Sequence, residues 1–107
     1  MKGQWINIYS GDLPLRSWWV DSGNECEYIS IVLPEVFGIN NWIRSFSEKL
    51  AAQNLPVLAI PLYGRTAPNL DLGYSEEDLK LGRHHKNLTT LKNIIEDVSA
   101  AINWVKE

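Results

Sequence analysis

The side chains that could do chemistry in this 107-residue chain gather where apolar runs end. Glu35 follows the run Tyr28-Ile29-Ser30-Ile31-Val32-Leu33 with only Pro34 between. A carboxylate arriving straight after a buried segment is costly unless it is hydrogen-bonded, ion-paired or put to work. Either it caps a loop or pairs with Arg65, or it belongs to a site. Arg65 lies in Pro61-Leu62-Tyr63-Gly64-Arg65-Thr66-Ala67-Pro68, which leaves a second apolar run, and Arg83 lies in Gly82-Arg83-His84-His85-Lys86. On residue type alone, a guanidinium suits a solvated helix face or an Asp/Glu partner.

His84 and His85 are adjacent, so a helix does not place both rings on one face. No Cys or His cluster complements them as metal ligands. They read as surface or loop residues. Cys26 stands between Glu25 and Glu27, and two flanking carboxylates disfavour a reactive thiolate. The sequence contains no Gly-x-Ser/Cys-x-Gly elbow and no Gly-x-Gly-x-x-Gly after a strand, so it offers neither a hydrolase nucleophile nor a dinucleotide cradle.

The elements that must position these residues follow from hydrophobic period. Residues 5–9 alternate as a half-buried strand does. Gly11, Asp12 and Pro14 supply a turn, and residues 15–20, with Trp18 and Trp19, form the return strand of an antiparallel hairpin. After a polar loop, residues 28–33 read as a central strand covered on both faces. Asn40 and Asn41 are N-cap candidates for a helix with Trp42, Ile43, Phe46 and Leu50 on one face, ending near Gln53-Asn54. Residues 56–62 make another apolar strand. Ser75-Glu76-Glu77-Asp78 opens a further helix, its acidic residues at the positive end of the dipole. Leu88, Leu91, Ile95, Val98, Ile102 and Val105 recur at spacings of three and four, which predicts one long amphipathic helix. The order β-β-β-α-β-α-α contains a βαβ unit whose strands should be parallel and whose crossover should be right-handed. The class is α/β, and no linker divides the chain.

Composition narrows the function. A net charge of −3 and scattered lysines and arginines give no footprint for nucleic acid or an anionic membrane. The apolar runs fall far short of a membrane span, and no signal peptide is visible. One cysteine fits a reducing compartment. A cytoplasmic protein is expected.

Leu33-Pro34-Glu35-Val36-Phe37-Gly38-Ile39-Asn40, Ile43-Arg44, Leu50-Ala51 and Pro61-Leu62-Tyr63 together resemble the front of the dienelactone hydrolase family. Gly73-Tyr74, the 82–86 segment and the stretch from Asp97-Val98 to Trp104 continue the likeness. The resemblance implies the N-terminal portion of an α/β-hydrolase fold: a β-hairpin, then a parallel β-α-β unit and a long C-terminal amphipathic helix. It also implies a Cys-His-Asp triad acting on a carboxylic ester or lactone (dienelactone to maleylacetate), without metal or organic cofactor. Glu35 matches the glutamate that contacts the nucleophilic thiol, and the Val36 N–H matches one oxyanion donor. Arg83, and second Arg65, are candidates for the arginine that holds the substrate carboxylate.

Two expectations follow. Residues 1–107 should form a partial hydrolase domain, inactive alone for want of a nucleophile. The alternative is a non-catalytic binding or self-associating module derived from a hydrolase. In that strand order the third strand normally lies beside the nucleophile strand, so residues 28–33 should form a sheet edge. A homodimer covering this edge or the helix stripe is expected.

Overall fold

The computed structural model describes residues 2–23, 28–34, 36–67 and 69–106. Strands β1 (Gln4–Ser10) and β2 (Leu13–Val20) form an antiparallel hairpin running from Gln4↔Trp19 to Ser10↔Leu13. Its two-residue loop is Gly11-Asp12, with Gly11 at φ 62°, the positive φ that tight hairpin turns require. Pro14 lies inside β2, not in the turn where sequence placed it. Only Trp18, Trp19 and Val20 pair with the neighbouring strand β4 (Val57–Ala59), so the missing N–H of Pro14 costs no ladder bond there.

Strand β3 (Ser30–Val32) pairs in parallel with β4, and the sheet order is β1-β2-β4-β3. β4 is the strand covered on both faces, with Val57, Leu58, Ala59 and the following Ile60 fully buried. The expectation that residues 28–33 form that central strand is corrected. β3 is shorter and half-buried, and it pairs only with β4 among the described residues, as the edge expectation required. The run 56–62 is also shortened: from Leu62 to Thr66 the chain turns, with the Gly64 N–H donating to the Pro61 carbonyl at 2.9 Å.

Helix α1 (Asn41–Ala52) connects β3 to β4 and packs on β4 and β2. Asn40 caps it, its side-chain oxygen accepting from the Ile43 N–H at 3.1 Å. Its far end closes through Asn54 at φ 64°, with Asn54 and Leu55 donating to the Ala51 and Leu50 carbonyls. Helix α2 (Glu76–Leu88) starts at Ser75, which accepts from the Asp78 N–H at 3.1 Å.

The single long helix expected from Leu88 onward is two. Thr89 and Thr90 both adopt extended backbone. The Thr89 hydroxyl donates to the His85 carbonyl at 2.8 Å and closes α2, while the Thr90 hydroxyl accepts from the Asn93 N–H at 3.1 Å and opens α3 (Leu91–Val105). Short hydroxyl side chains that bond the local backbone favour caps over helix interiors. The spacing of apolar residues runs across this break because it does not register capping.

Helix α3 lies against β1 and brings Val98, Ala101, Trp104 and Val105 onto Ile8, Leu58 and Ile60. Trp19 and Trp104 meet edge to face at 5.1 Å. The buried side of α3 is rotated from the stripe read in sequence: Asp97 and Ala101 are buried, while Leu91, Ile95 and Ile102 are exposed.

Candidate functional site

β3 delivers the chain at its carboxyl end into a turn at Val36-Phe37. Two neighbours hold this turn. Segment 70–74 bridges to it antiparallel, with Gly38 paired to Asp71 and the Leu72 N–H donating to the Phe37 carbonyl at 2.9 Å. Gly38, at φ 76°, lies so close to Leu70 that any Cβ would overlap the Leu70 carbonyl. Only glycine meets both demands. The second neighbour, α2, presents Gly82, where a Cβ would overlap the Val36 carbonyl. The Val36 carbonyl is thus packed against α2, in a turn whose Phe37 and Gly38 are held by segment 70–74.

Asn40 joins the two loops. Besides capping α1, its Nδ2 donates to the Leu72 carbonyl at 3.0 Å and to the Tyr74 hydroxyl at 3.1 Å. The Tyr74 ring meets Phe37 edge to face at 4.6 Å. Arg44 of α1 adds an outer tie, donating from Nη1 to the Ile39 carbonyl and to Asp71 Oδ2, both at 2.8 Å. Beside this frame a cleft of about 400 Å³ opens, lined chiefly by Val32, Leu33, Phe37, Trp42, Phe46 and Tyr74. The Trp42 and Phe46 rings stack nearly parallel, 5.3 Å apart, along one wall.

Arg65 is placed elsewhere. Its Nη2 donates to Asp97 Oδ1 at 2.9 Å and to Glu96 Oε2 at 3.0 Å, while Nε reaches Asp97 Oδ2 at 3.4 Å. Of the alternatives open to Arg65 in sequence, it occupies the one with an acidic partner. The hydrogen bond to Asp97 raises the guanidinium pKa above its ordinary value; desolvation opposes this, and the Asp97 and Glu96 charges reinforce it.

Arg83 is exposed on α2, one residue from the glycine that touches Val36. His85 meets the Thr66 hydroxyl at 2.9 Å, tying α2 to the loop after β4, and His84 is exposed beside it. Among the described residues no cluster of His, Cys, Asp or Glu could hold a metal. Among them, too, no helix is long and apolar enough to cross a membrane. Glu35 and Cys26 lie outside the described residues.

Sequence reading missed Asn40 as a link between loops, Tyr74 and Phe37 as cleft walls, and Asp97 as a buried partner. Only Asp97 left a usable signal, an acid between Ile94, Val98 and Ala101 on an otherwise apolar helix face.

A four-stranded mixed sheet ordered 1-2-4-3, with a parallel β-α-β crossover and a clamped turn at the end of β3, is part of an α/β-hydrolase fold. A candidate dienelactone hydrolase from Klebsiella pneumoniae subsp. pneumoniae, known from its crystal structure, superposes with a TM-score of 0.78 over 95% of this chain and 42% of its own, at 21% identity. The profile of the dienelactone hydrolase family matches residues 23–107, and the chain belongs to that family. A candidate carboxymethylenebutenolidase of Synechocystis sp. is 33% identical over 78 residues, which is 73% of this chain. The chain spans about a third (32%) of that relative's length.

Proposed function

We propose that these residues form the oxyanion and substrate-binding side of a carboxylic ester or lactone hydrolase, with the nucleophile supplied by sequence outside residues 1–107. The observation that carries the reading is the clamped Val36 turn at the carboxyl end of a parallel strand, held by Gly82 and by the Leu72–Phe37 hydrogen bond. In this fold one oxyanion donor comes from such a loop and the other from the residue after the nucleophile. The Val36 N–H stabilises charge that develops only in the tetrahedral intermediate. Glu35 sets the protonation of the nucleophile, and Arg83 binds a substrate carboxylate on the α2 side. Arg65, engaged by Asp97 and Glu96, is the weaker substrate ligand and acts mainly as a strut. The chemistry needs no metal or organic cofactor, its partner is a small ester or lactone, and its setting is cytoplasmic.

The test is an esterase assay of the purified chain, alone and mixed with a complementary segment from a family member that carries the nucleophile elbow, acid and histidine. The chain alone should give background rates, because one oxyanion donor contributes about 3 kcal/mol and has no attacking group to serve. The mixture should turn over, and Glu35→Gln should shift its pH profile. Turnover by the chain alone that is lost on Cys26→Ser would overturn the reading.

A second reading, self-association as a homodimer, is favoured by the outer face of α3, where Leu91 is 73% and Ile95 56% exposed. Apolar stripes of this kind usually mark interfaces.

A further inference from the structure

Strand β1 has a free side. Among the described residues it stands at one end of the sheet order β1-β2-β4-β3, and strands joining beside β3, as the hydrolase reading requires, leave it open. The hairpin loop closes on the pair Ser10↔Leu13, and the pair that closes a two-residue loop exchanges main-chain hydrogen bonds. The alternation then turns the N–H and C=O groups of Gln4, Ile6, Ile8 and Ser10 toward β2, and those of Trp5, Asn7 and Tyr9 outward. Pro14 fits this parity, since it lies opposite Tyr9 and has no N–H to give. Among the described residues the outward groups have no main-chain partner. Nothing in the strand discourages pairing: it holds no proline and no charged residue, and its register with β2 runs without a bulge. On the α3 side an open groove of about 740 Å³ lies between residues 8–11 and Ile95, Ser99 and Asn103, which leaves room beside the second half of the strand.

The order of residues along this edge is self-complementary. Gln4-Trp5-Ile6-Asn7-Ile8-Tyr9-Ser10 reads alike in both directions by class: polar, aromatic, isoleucine, asparagine, isoleucine, aromatic, polar. We propose that β1 pairs antiparallel with β1 of a second copy of the chain, across a twofold axis at Asn7. Asn7 then faces its own counterpart, Trp5 faces Tyr9, Ile6 faces Ile8 and Gln4 faces Ser10. The outward residues Trp5, Asn7 and Tyr9 are the ones that exchange main-chain bonds in this register. Trp5–Tyr9 and Ile6–Ile8 are aromatic and β-branched pairs of the kind that stabilise sheets, and Ile6 and Ile8 lie on the face that α3 covers. An axis at Ile6 or Ile8 would instead set Asn7 against an aromatic ring and an isoleucine against Gln4 or Ser10. Closed twofold pairs are also the commonest oligomers. The proposal is independent of the hydrolase reading; it rests on the self-association reading and places that contact on β1, with α3 at its flank.

Sedimentation velocity of the 107-residue chain over micromolar concentrations should show a monomer–dimer equilibrium. Asn7 is exposed, so a charge placed there leaves the fold intact. Asn7→Lys and Asn7→Glu, each alone, set like charges across the axis and should weaken the dimer about fivefold. Mixing the two variants should restore it, because opposite charges then meet. In hydrogen exchange followed by NMR, the Trp5, Asn7 and Tyr9 amides should gain protection as concentration rises, while Ile6 and Ile8 stay protected throughout. Charge variants that pair as tightly as the parent chain, a mixture no tighter than either variant alone, or protection gained at Ser30–Val32 instead would overturn the β1 contact. If Ile95→Glu alone then dissolved the dimer, self-association through α3 would stand without it. A chain that stays monomeric throughout the range would overturn both, and would leave the hydrolase reading to its own assay.

Discussion

Two arginine–aspartate pairs tie loops to helices in this molecule, and they differ in what surrounds them. Arg65, on the loop after β4, meets Asp97 of α3, whose side chain is 1% exposed. Arg44 of α1 meets Asp71, on the loop before α2, whose side chain is 46% exposed. The distances are nearly the same, 2.9 and 2.8 Å. The first pair closes one end of the molecule: a carboxylate already stripped of water depends on its guanidinium. The second braces the frame of an open aromatic cleft, where water still competes for both partners. Similar chemistry makes a strut in one place and a trim in the other, so the buried pair belongs to the fold.

Substitution should separate the two most sharply. Arg65→Ala strands the Asp97 charge and should cost about 3–5 kcal/mol. Asp71→Ala should cost at most about 1 kcal/mol, as exposed pairs do. Urea unfolding of both variants checks this, and a smaller loss for Arg65→Ala than for Asp71→Ala would erase the distinction. Because the Arg65 pKa is raised, the arginine's share of this stability is fully present below its ordinary pKa and is lost only as pH rises through the raised one. Arginine titration should therefore add no pH dependence to the difference between about pH 5 and 9.

On the open side the sharper probe is Gly82→Ala. In an unobstructed helix this change gains up to about 1 kcal/mol from propensity. Here the added methyl meets the Val36 carbonyl, and overpacking of that kind costs roughly 1–3 kcal/mol. A net loss near 1 kcal/mol is expected, together with a moved Val36 amide resonance. A stabilised variant with an unmoved amide would show that α2 does not set the position of that turn.

The smallest effect on stability is expected on the outer face of α3. Ile95→Glu should change unfolding free energy by no more than about 0.5 kcal/mol. It should still reduce self-association measured by sedimentation at micromolar concentration. Unchanged sedimentation would remove α3 as the contact surface.

Most elements were legible because their signals are local. The hairpin showed in alternating residues around Gly11, the helix starts in the pair Asn40-Asn41 and in the run from Ser75 to Asp78, and the βαβ unit in the order of apolar runs; the structure has each of them, with Asn40 and Ser75 as the N-caps. The segment from Leu33 to Asn40 marked the family before any geometry was known, and the family match includes it. The break at Thr89-Thr90 was lost because apolar spacing continues through it, whereas capping is a property of single hydroxyls.

The sequence by itself determined the period of each element, the hairpin turn, the chain's family and the residues that can carry charge. Tertiary structure alone decided which strand lies in the middle, which face of α3 is buried and which cation has a partner. Burial depends on the neighbours a residue meets across the sheet, and those neighbours are remote in sequence. Asp97 and Arg65 are 32 residues apart, as are Asn40 and Leu72. No local pattern of residues specifies contacts over such separations; they exist only once β4 has been laid between β2 and β3.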